Sequence, residues 1–166
     1  NWTKLSIKIN GEILDLCHAK VTKFKRILDM KNGILKRNFS AKLKNGISVN
    51  VQASRFCSLD QDNMGALSYS FTVDQSAEIE VSSYIDGNIK NEDANYDEFF
   101  WENIKLESND NQCTLIARTK KTHFYVGLKT ETNLFVDNDK INRFQSNDSA
   151  INSPTVSSFF SIESDQ

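Results

Sequence analysis

Apolar and polar residues alternate along much of this 166-residue chain, as they do in strands that bury one face. In the clearest example, Ile47, Val49, Val51 and Ala53 would face one side, and the polar residues between them the other. Similar runs occur at residues 67–73, 77–81, 115–119, 124–128 and 158–162. The pattern predicts an all-β fold, an antiparallel β-sandwich built from two large sheets.

Asn-Gly pairs separate several of these runs, at Asn10-Gly11, Asn32-Gly33 and Asn45-Gly46. Both residue types accept the positive φ angles of a type I′ turn, whose twist matches that of the flanking strands. The sequence therefore predicts three β-hairpins, each with an Asn-Gly pair at its tip.

Few residues favour helices. Residues 94–102 combine acidic and aromatic side chains and could form a turn or two of helix before a strand begins at Trp101. The single proline, Pro154, lies in a stretch rich in Ser and Asn at residues 142–158, which we interpret as a loop. We expect a single domain over residues 1–166.

The composition limits the possible partners. Apolar residues make up 39% of the chain and charged residues 25%, which is ordinary for a globular protein. The net charge is -2 and the basic residues are scattered, so we expect no nucleic-acid partner. No apolar stretch approaches the roughly 18 residues that a membrane span requires, so we expect no membrane partner.

Cys17, Cys57 and Cys113 lie far apart and form no C-x-x-C pair. Their odd number and wide spacing argue against a disulfide framework or a zinc site. We expect reduced, half-buried thiols, which are more typical of the cytoplasm than of a secreted protein.

The segment at residues 82–101 has the highest density of polar groups, and it places acidic residues beside tyrosines and a tryptophan. Aromatic rings can stack on the apolar face of a sugar ring while carboxylates accept hydrogen bonds from its hydroxyls. The segment is therefore a candidate for facing a sugar or another domain, and a solvated loop with aromatic anchors is the alternative. The candidate residues are Asp86, Asn88, Asn91, Asp93, Asn95, Tyr96 and Trp101.

Two other motifs contain residue types that carry chemistry in other proteins. Cys17 and His18 could pair as nucleophile and base, but neighbouring residues on a strand point to opposite faces. Residues 60–65 superficially resemble a calcium loop, yet Met64 stands where an oxygen ligand is needed, so a connector between strands is favoured. We therefore predict no catalytic residue and no metal site.

Several strings of residues, in order, resemble the amino-terminal domain of glycoside hydrolase family 65. The family includes maltose, kojibiose, nigerose and trehalose phosphorylases. The resemblance extends over residues 1–130, and residues 131–158 match it weakly. The strings are residues 9–16 (INGEILDL), 26–37 (RILDMKNGILKR), 53–59 (ASRFCSL), 83–91 (SYIDGNIKN), 93–96 (DANY) and 100–101 (FW).

The resemblance implies a β-sandwich of the galactose-mutarotase-like type, with its first strands preceding this chain. A following (α/α)6 barrel would carry the general acid and the phosphate site. The parent enzyme would be an α-glucoside phosphorylase or hydrolase. As a phosphorylase it would use inorganic phosphate to convert an α-linked glucose disaccharide to β-glucose 1-phosphate, with inversion at the anomeric carbon. No cofactor is implied. This chain would be a non-catalytic domain that supports assembly with the barrel.

The implied partners are the catalytic barrel of the same polypeptide, a second copy in a homodimer, and the sugar substrate through the parent enzyme. Residues 82–101 would face the barrel or its entrance. An uncovered apolar patch is expected beside this segment, with Tyr96, Phe99 and Phe100 contributing. A self-sufficient carbohydrate-binding module is the alternative.

Overall fold

The computed structural model describes residues 2–88, 99–147 and 155–162. Within these ranges the regular structure consists of strands in antiparallel pairs, without a helix. The all-β, antiparallel fold predicted from the alternation is confirmed.

The strands follow one another closely along the chain. In order they are β1 (Lys4–Ile9), β2 (Glu12–Ile13), β3 (Lys20–Asp29), β4 (Ile34–Lys42), β5 (Ser48–Cys57), β6 (Gly65–Val73), β7 (Ala77–Tyr84), β8 (Trp101–Asn109), β9 (Gln112–Thr119), β10 (Tyr125–Glu131), β11 (Leu134–Val136), β12 (Asp139–Ile141), β13 (Gln145–Asn147) and β14 (Thr155–Ile162).

Most neighbouring strands in the sheets are also consecutive in the sequence. One sheet has the order β3-β4-β5-β6, a second β10-β9-β8, and a third the pair β11-β12. The remaining sheet, β13-β14-β7-β1-β2, joins strands from both ends of the sequence. The described residues group into two compact units, one within residues 8–79 and 161–162, the other within residues 2–7 and 80–160.

In the unit of residues 8–79, the β4–β5 pair supplies many of the buried side chains. Val49, Val51 and Ala53 are buried while the alternate residues Asn50 and Gln52 are exposed, as the alternation predicted. Cross-strand pairing puts residues of like character opposite one another, such as Phe39 with Val51. The other buried apolar residues of this unit are Ile9, Ala41, Leu43, Ile47, Ala77 and Ile79.

In the unit of residues 80–160, β9 supplies the centre of the core. Cys113, Leu115 and Ala117 alternate along one face of this strand and pack with Ile85 and Val156. Leu106, Leu128 and Phe144 cover this cluster from neighbouring segments. Ser158 is also fully buried, and its hydroxyl donates to the carbonyl of Arg143 at 2.7 Å, which satisfies the buried group.

The Asn10-Gly11 pair forms the predicted type I′ turn. Both residues have positive φ, 48° and 77°, and Ile9 pairs directly with Glu12 across the two-residue loop. Asn10 also reaches β7, because its backbone N–H donates to Glu78 and its side-chain oxygen accepts from the Glu78 N–H. The hairpin prediction is confirmed here in both position and turn type.

The other two Asn-Gly pairs also lie at hairpin tips, but the turns are not type I′. Only the glycines, Gly33 and Gly46, have positive φ, 65° and 93°. The first loop has four residues between Asp29 and Ile34, and Asp29 accepts hydrogen bonds from the backbone and side chain of Asn32. In each of these longer loops the glycine alone adopts positive φ. The asparagine before it forms hydrogen bonds through its side chain instead.

A second turn with two positive φ angles was missed in the sequence. Asp137 and Asn138 have φ of 51° and 70° and join Val136 to its partner Asp139. The turn contains no glycine, and Asp and Asn are the residue types that tolerate this conformation best after glycine. An Asp-Asn pair directly after the apolar residues 134–136 was the available signal.

Two sequence predictions need correction, and a third can be followed only in part. Residues 142–158 are not one continuous loop, because β13 and the start of β14 lie inside the range. The thiols are not all half-buried: Cys17 and Cys57 are exposed and Cys113 is buried, and none of the three forms a disulfide in the described residues. Trp101 does begin a strand, as predicted, whereas residues 94–98 of the suggested helical turn lie outside the described residues.

Candidate functional site

The first part of the candidate segment follows β7. Ile85 is fully buried and anchors the chain, so Asp86 lies at the edge of the core. The Asp86 carboxylate is 3.3 Å from the Lys4 ammonium and accepts a hydrogen bond from the backbone N–H of Asn88. Asn88 is exposed. These interactions fix Asp86 in an ion pair and a local turn.

The last part of the segment leads into β8. Trp101 pairs with Thr119 of β9 and is 37% exposed, while Phe99 and Phe100 are half-buried. The carbonyl of Phe100 accepts a hydrogen bond from the N–H of Lys120, which extends the pairing with β9 backward by one step. The remaining candidates, Asn91, Asp93, Asn95 and Tyr96, lie outside the described residues.

A polar cluster that the sequence analysis missed lies immediately beyond Trp101. Glu102, Arg118 and Tyr125 are directly opposite one another on β8, β9 and β10. The Arg118 guanidinium donates to Glu102 at 2.7 Å and to the Tyr125 hydroxyl at 3.4 Å. Its carbon lies 5.8 Å from the centre of the Tyr125 ring, so the cation also stacks on the aromatic face.

Within this cluster the negative charge of Glu102 offsets the positive charge of Arg118. The hydrogen bond to Glu102, followed by that to Tyr125, raises the pKa of Arg118. Because Tyr125 is 61% exposed, the cluster presents an aromatic side chain beside a carboxylate and a guanidinium. Such a surface could accept and donate hydrogen bonds to hydroxyls while stacking on an apolar ring face.

Only the cross-strand register brings these three residues together. They are separated by 16 and 7 positions in the sequence, and no local motif links them. One signal was available in the sequence. Arg118 follows the buried residues Cys113, Leu115 and Ala117 and falls on the opposite, outward face of β9.

Cys17 and His18 come after a strand and do not lie on one, so the argument that neighbouring strand residues point to opposite faces does not apply to them. They follow β2 in a turn, where Asp15 organises both residues. One Asp15 oxygen accepts the Cys17 N–H at 2.9 Å, and the other lies 2.8 Å from Nδ1 of His18. These bonds, first that from the Cys17 backbone and then that with His18, lower the pKa of Asp15.

The connector interpretation of residues 60–65 is confirmed, since residues 58–64 join β5 to β6. The Ser58 hydroxyl accepts from the Gln61 N–H, which closes a local turn. In the described part of the chain, no group of three or more His, Cys, Asp or Glu residues is placed to hold a metal ion. Within the same ranges, no helix is long and apolar enough to cross a membrane.

The fold of this chain also occurs in a larger solved protein. A solved structure from the human microbiome, provisionally assigned as a kojibiose phosphorylase, superposes with a TM-score of 0.81 at 25% identity, covering 100% of this chain and 20% of that one. Residues 1–163 match the glycosyl hydrolase family 65 N-terminal domain. The chain belongs to this family, and the resemblance inferred from its sequence strings is confirmed.

Curated relatives are much longer than this chain. The maltose phosphorylase of Bacillus subtilis (strain 168) is 30% identical over 125 residues, which cover 75% of this chain but 16% of the relative. The alpha,alpha-trehalose phosphorylase of Thermoanaerobacter brockii is 26% identical over 142 residues, covering 80% of this chain and 18% of that protein. The chain thus spans less than a fifth of the length of these two relatives.

Proposed function

We propose that this chain is the non-catalytic N-terminal domain of an α-glucoside phosphorylase and supports assembly with the catalytic barrel of the same polypeptide. The whole enzyme would cleave an α-linked glucose disaccharide with inorganic phosphate, with inversion, to give β-glucose 1-phosphate in the cytoplasm. The observation that carries the proposal is the match of residues 1–163 to a domain that is only a small part of the longer phosphorylases.

The segment around Asp86 and Trp101 would face the rest of the enzyme. Two observations support this placement. Asp86 is fixed by Lys4 and by the turn to Asn88, so it presents a defined rather than a freely moving carboxylate. Trp101 remains partly exposed although it begins a strand of the core sheet β10-β9-β8, and large aromatic residues at such positions are typical of interface anchors.

The proposal is tested by comparing the phosphorylase activity of the isolated chain with that of the complete polypeptide. The isolated chain is incubated with phosphate and maltose, kojibiose, nigerose or trehalose, and glucose 1-phosphate is assayed. We expect no product above the blank, whereas the polypeptide of the complete reading frame produces it from one of these sugars. Turnover by the isolated chain would contradict the non-catalytic role, and a complete polypeptide that phosphorolyses none of the four would contradict the proposed parent reaction.

The cluster of Glu102, Arg118 and Tyr125 favours one second candidate function, a self-sufficient carbohydrate-binding module. Here the exposed Tyr125 ring would stack on a sugar, while Glu102 and Arg118 would bond its hydroxyls. Titration calorimetry with maltose, kojibiose and trehalose tests this function. Tyr125→Ala should abolish any binding, while Phe124→Ala, a neighbour of similar exposure, should leave it intact.

A further inference from the structure

Two hairpin tips contain the same four residues, Lys-Asn-Gly-Ile, at positions 31–34 and 44–47. In an Asn-Gly pair the side-chain amide is open to attack by the next backbone nitrogen, because glycine has no side chain to shield that nitrogen. The identical flanking residues give Asn32 and Asn45 the same intrinsic reactivity in an unfolded chain. Any difference between them in the folded chain therefore comes from the structure.

The attack has definite geometric requirements. The glycine nitrogen forms a bond to the side-chain carbon Cγ of the asparagine, and the amide nitrogen takes up the displaced proton and leaves as ammonia. Water then opens the resulting five-membered succinimide at one of its two carbonyls, which gives aspartate or isoaspartate. The asparagine side chain must therefore rotate onto the backbone nitrogen that follows it, and that nitrogen must be free of an acceptor.

Asn45 is held away from this geometry. Its amide nitrogen donates to the carbonyl of Ile9 at 3.0 Å, and its side-chain oxygen accepts from the N–H of Ile47 at 3.1 Å, both in part-buried surroundings. The N–H of Gly46, which would have to attack, donates to the carbonyl of Leu43 at 3.1 Å. Three hydrogen bonds therefore have to break before the ring can close at this site.

Asn32 is held only within its own loop. Its backbone N–H and its side-chain nitrogen both donate to the carboxylate of Asp29, at 3.1 and 2.9 Å, and both bonds are exposed. Among the residues that the structure describes, the N–H of Gly33 has no turn hydrogen bond like that of Gly46. Exposed hydrogen bonds exchange readily with bonds to water, so they hold this side chain weakly.

We propose that Asn32 is a site of spontaneous deamidation, at which the folded chain slowly exchanges an amide for a carboxylate, while the fold protects Asn45. Asn10 belongs with the protected sites, since its side-chain oxygen and its backbone N–H both bond to the backbone of Glu78 in β7. The modification needs only water. It goes beyond the role proposed for the domain and does not depend on the reaction of the parent enzyme.

The product changes the loop in which it forms. A carboxylate in place of the Asn32 amide removes the donor to Asp29 and puts two negative charges beside each other between β3 and β4. The hydrogen bond from the Asn32 side chain is also the largest cause of the lowered pKa of Asp29, so that pKa should rise in the product. Deamidation would thus weaken the β3–β4 hairpin and make the net charge of -2 more negative by one unit.

Peptide mapping by mass spectrometry tests the proposal. The folded chain is kept at pH 8, and both sites are followed by the mass gained when OH replaces NH2 and by enzymatic methylation of isoaspartate. Product at residue 32 should accumulate about tenfold or more faster than at residue 45, the factor expected when at least one part-buried hydrogen bond must break before attack. Equal rates, or a faster reaction at Asn45, would overturn the proposal.

The unfolded chain is the matched reference. In concentrated urea the fold no longer holds either side chain, so Asn32 and Asn45 should react at equal rates. A difference that persists in urea would assign the effect to the sequence and overturn the proposal. The complete polypeptide is examined in the same way, and equal rates at the two sites in its folded state would also overturn the proposal.

Two variants separate the two loops. Gly33→Ala shields the attacking nitrogen, so it should slow the reaction at residue 32 and leave residue 45 unchanged. Glu12→Ala removes the carboxylate that accepts the N–H groups of Lys44 and Asn45, so it should speed the reaction at Asn45 and leave Asn32 unchanged. A Glu12→Ala chain in which Asn45 reacts as slowly as before would overturn the proposed protection.

A charge swap tests the effect of the product on the hairpin. The urea midpoint of Asn32→Asp at pH 7 should be lower than that of the unmodified chain. Asp29→Asn/Asn32→Asp restores one donor and one acceptor and should recover the midpoint. An Asn32→Asp chain with an unchanged midpoint would overturn the proposed weakening.

Discussion

His123 and Gly33 each lie near the end of a hairpin connection, β9 to β10 and β3 to β4, and both have positive φ, 58° and 65°. This conformation costs a residue with a side chain about 1–2 kcal/mol, and glycine almost nothing. We expect His123→Gly to stabilise the protein by about 0.5–1 kcal/mol and Gly33→Ala to destabilise it by about 1 kcal/mol.

Urea unfolding of the two variants measures these opposite effects. No atom lies within 4 Å of a Cβ built on Gly33, so the alanine would meet no steric clash and its effect would report the backbone alone. Equal signs for the two substitutions would contradict the conformational explanation.

Asn45 and Asn32 both precede glycines in hairpin loops, but their side chains form different hydrogen bonds. The Asn45 side chain donates to the carbonyl of Ile9 at 3.0 Å and accepts from Ile47, both in part-buried surroundings, whereas Asn32 bonds only within its exposed loop to Asp29. We expect Asn45→Ala to lower the free energy of unfolding by about 1–2 kcal/mol, and Asn32→Ala by less than half as much. Thermal and urea denaturation of both variants, compared side by side, would show whether the long-range contact matters.

At the scale of elements, Glu12 attaches the first hairpin to the turn between β4 and β5. Its two carboxylate oxygens accept the N–H groups of Lys44 and Asn45, each at 2.8 Å. We expect Glu12→Ala to destabilise the protein by about 1–2 kcal/mol, because two bonds to a charged acceptor are lost. Glu78→Ala, an exposed glutamate on β7, is the control and should change the stability by less than about 0.5 kcal/mol in the same assay.

The strands also differ in how far their apolar residues are covered. Ile79 of β7 is 2% exposed, and Ile27 of β3 is 41% exposed although it too lies in a regular strand. Ile79→Ala should cost about 2–5 kcal/mol, the range for a fully buried isoleucine, and Ile27→Ala about 1 kcal/mol or less. Similar losses for the two variants would indicate that β3 is covered in solution by another molecule or segment.

At the scale of the whole molecule, three aspartates make stability depend on pH. Hydrogen bonds lower the pKa of each below its ordinary value of 3.8: Asp15 from the Cys17 backbone, Asp29 from the Asn32 side chain, and Asp74 from Ser48. A lowered pKa favours the folded state above the unfolded value, and this contribution disappears as the pH falls through the folded values. The chain should therefore lose stability progressively below about pH 4.

Replacement of the three carboxylates tests this dependence. In Asp15→Asn/Asp29→Asn/Asp74→Asn, the difference in urea midpoint between pH 6 and pH 3 should be smaller than in the unmodified chain. Asp60→Asn/Asp62→Asn/Asp139→Asn makes the same change in net charge at exposed sites and should keep the original dependence. A triple variant with an unchanged pH profile would assign the acid sensitivity to other carboxylates.

The sequence by itself determined the strands, the hairpins and the family. Alternation at residues 47–53 identified a buried face, and Asn-Gly pairs located three hairpin tips, because both signals come from residues that are neighbours along the chain. The ordered strings of residues were sufficient to identify the glycoside hydrolase family 65 domain that the comparison confirmed. For the candidate segment at residues 82–101, the described residues show two things: its first part follows β7, and β8 begins at Trp101.

Tertiary structure decided the turn types, the exposure of each strand and the polar cluster. Phe24 and Phe39 sit directly opposite each other in β3 and β4, yet one is half exposed and the other buried. Alternation predicts which residues share a face, but it does not predict how far that face is covered, since coverage comes from residues distant in sequence. The same reason explains why Glu102, Arg118 and Tyr125 were missed: their meeting depends on the register of three strands, which the packing of the whole unit sets.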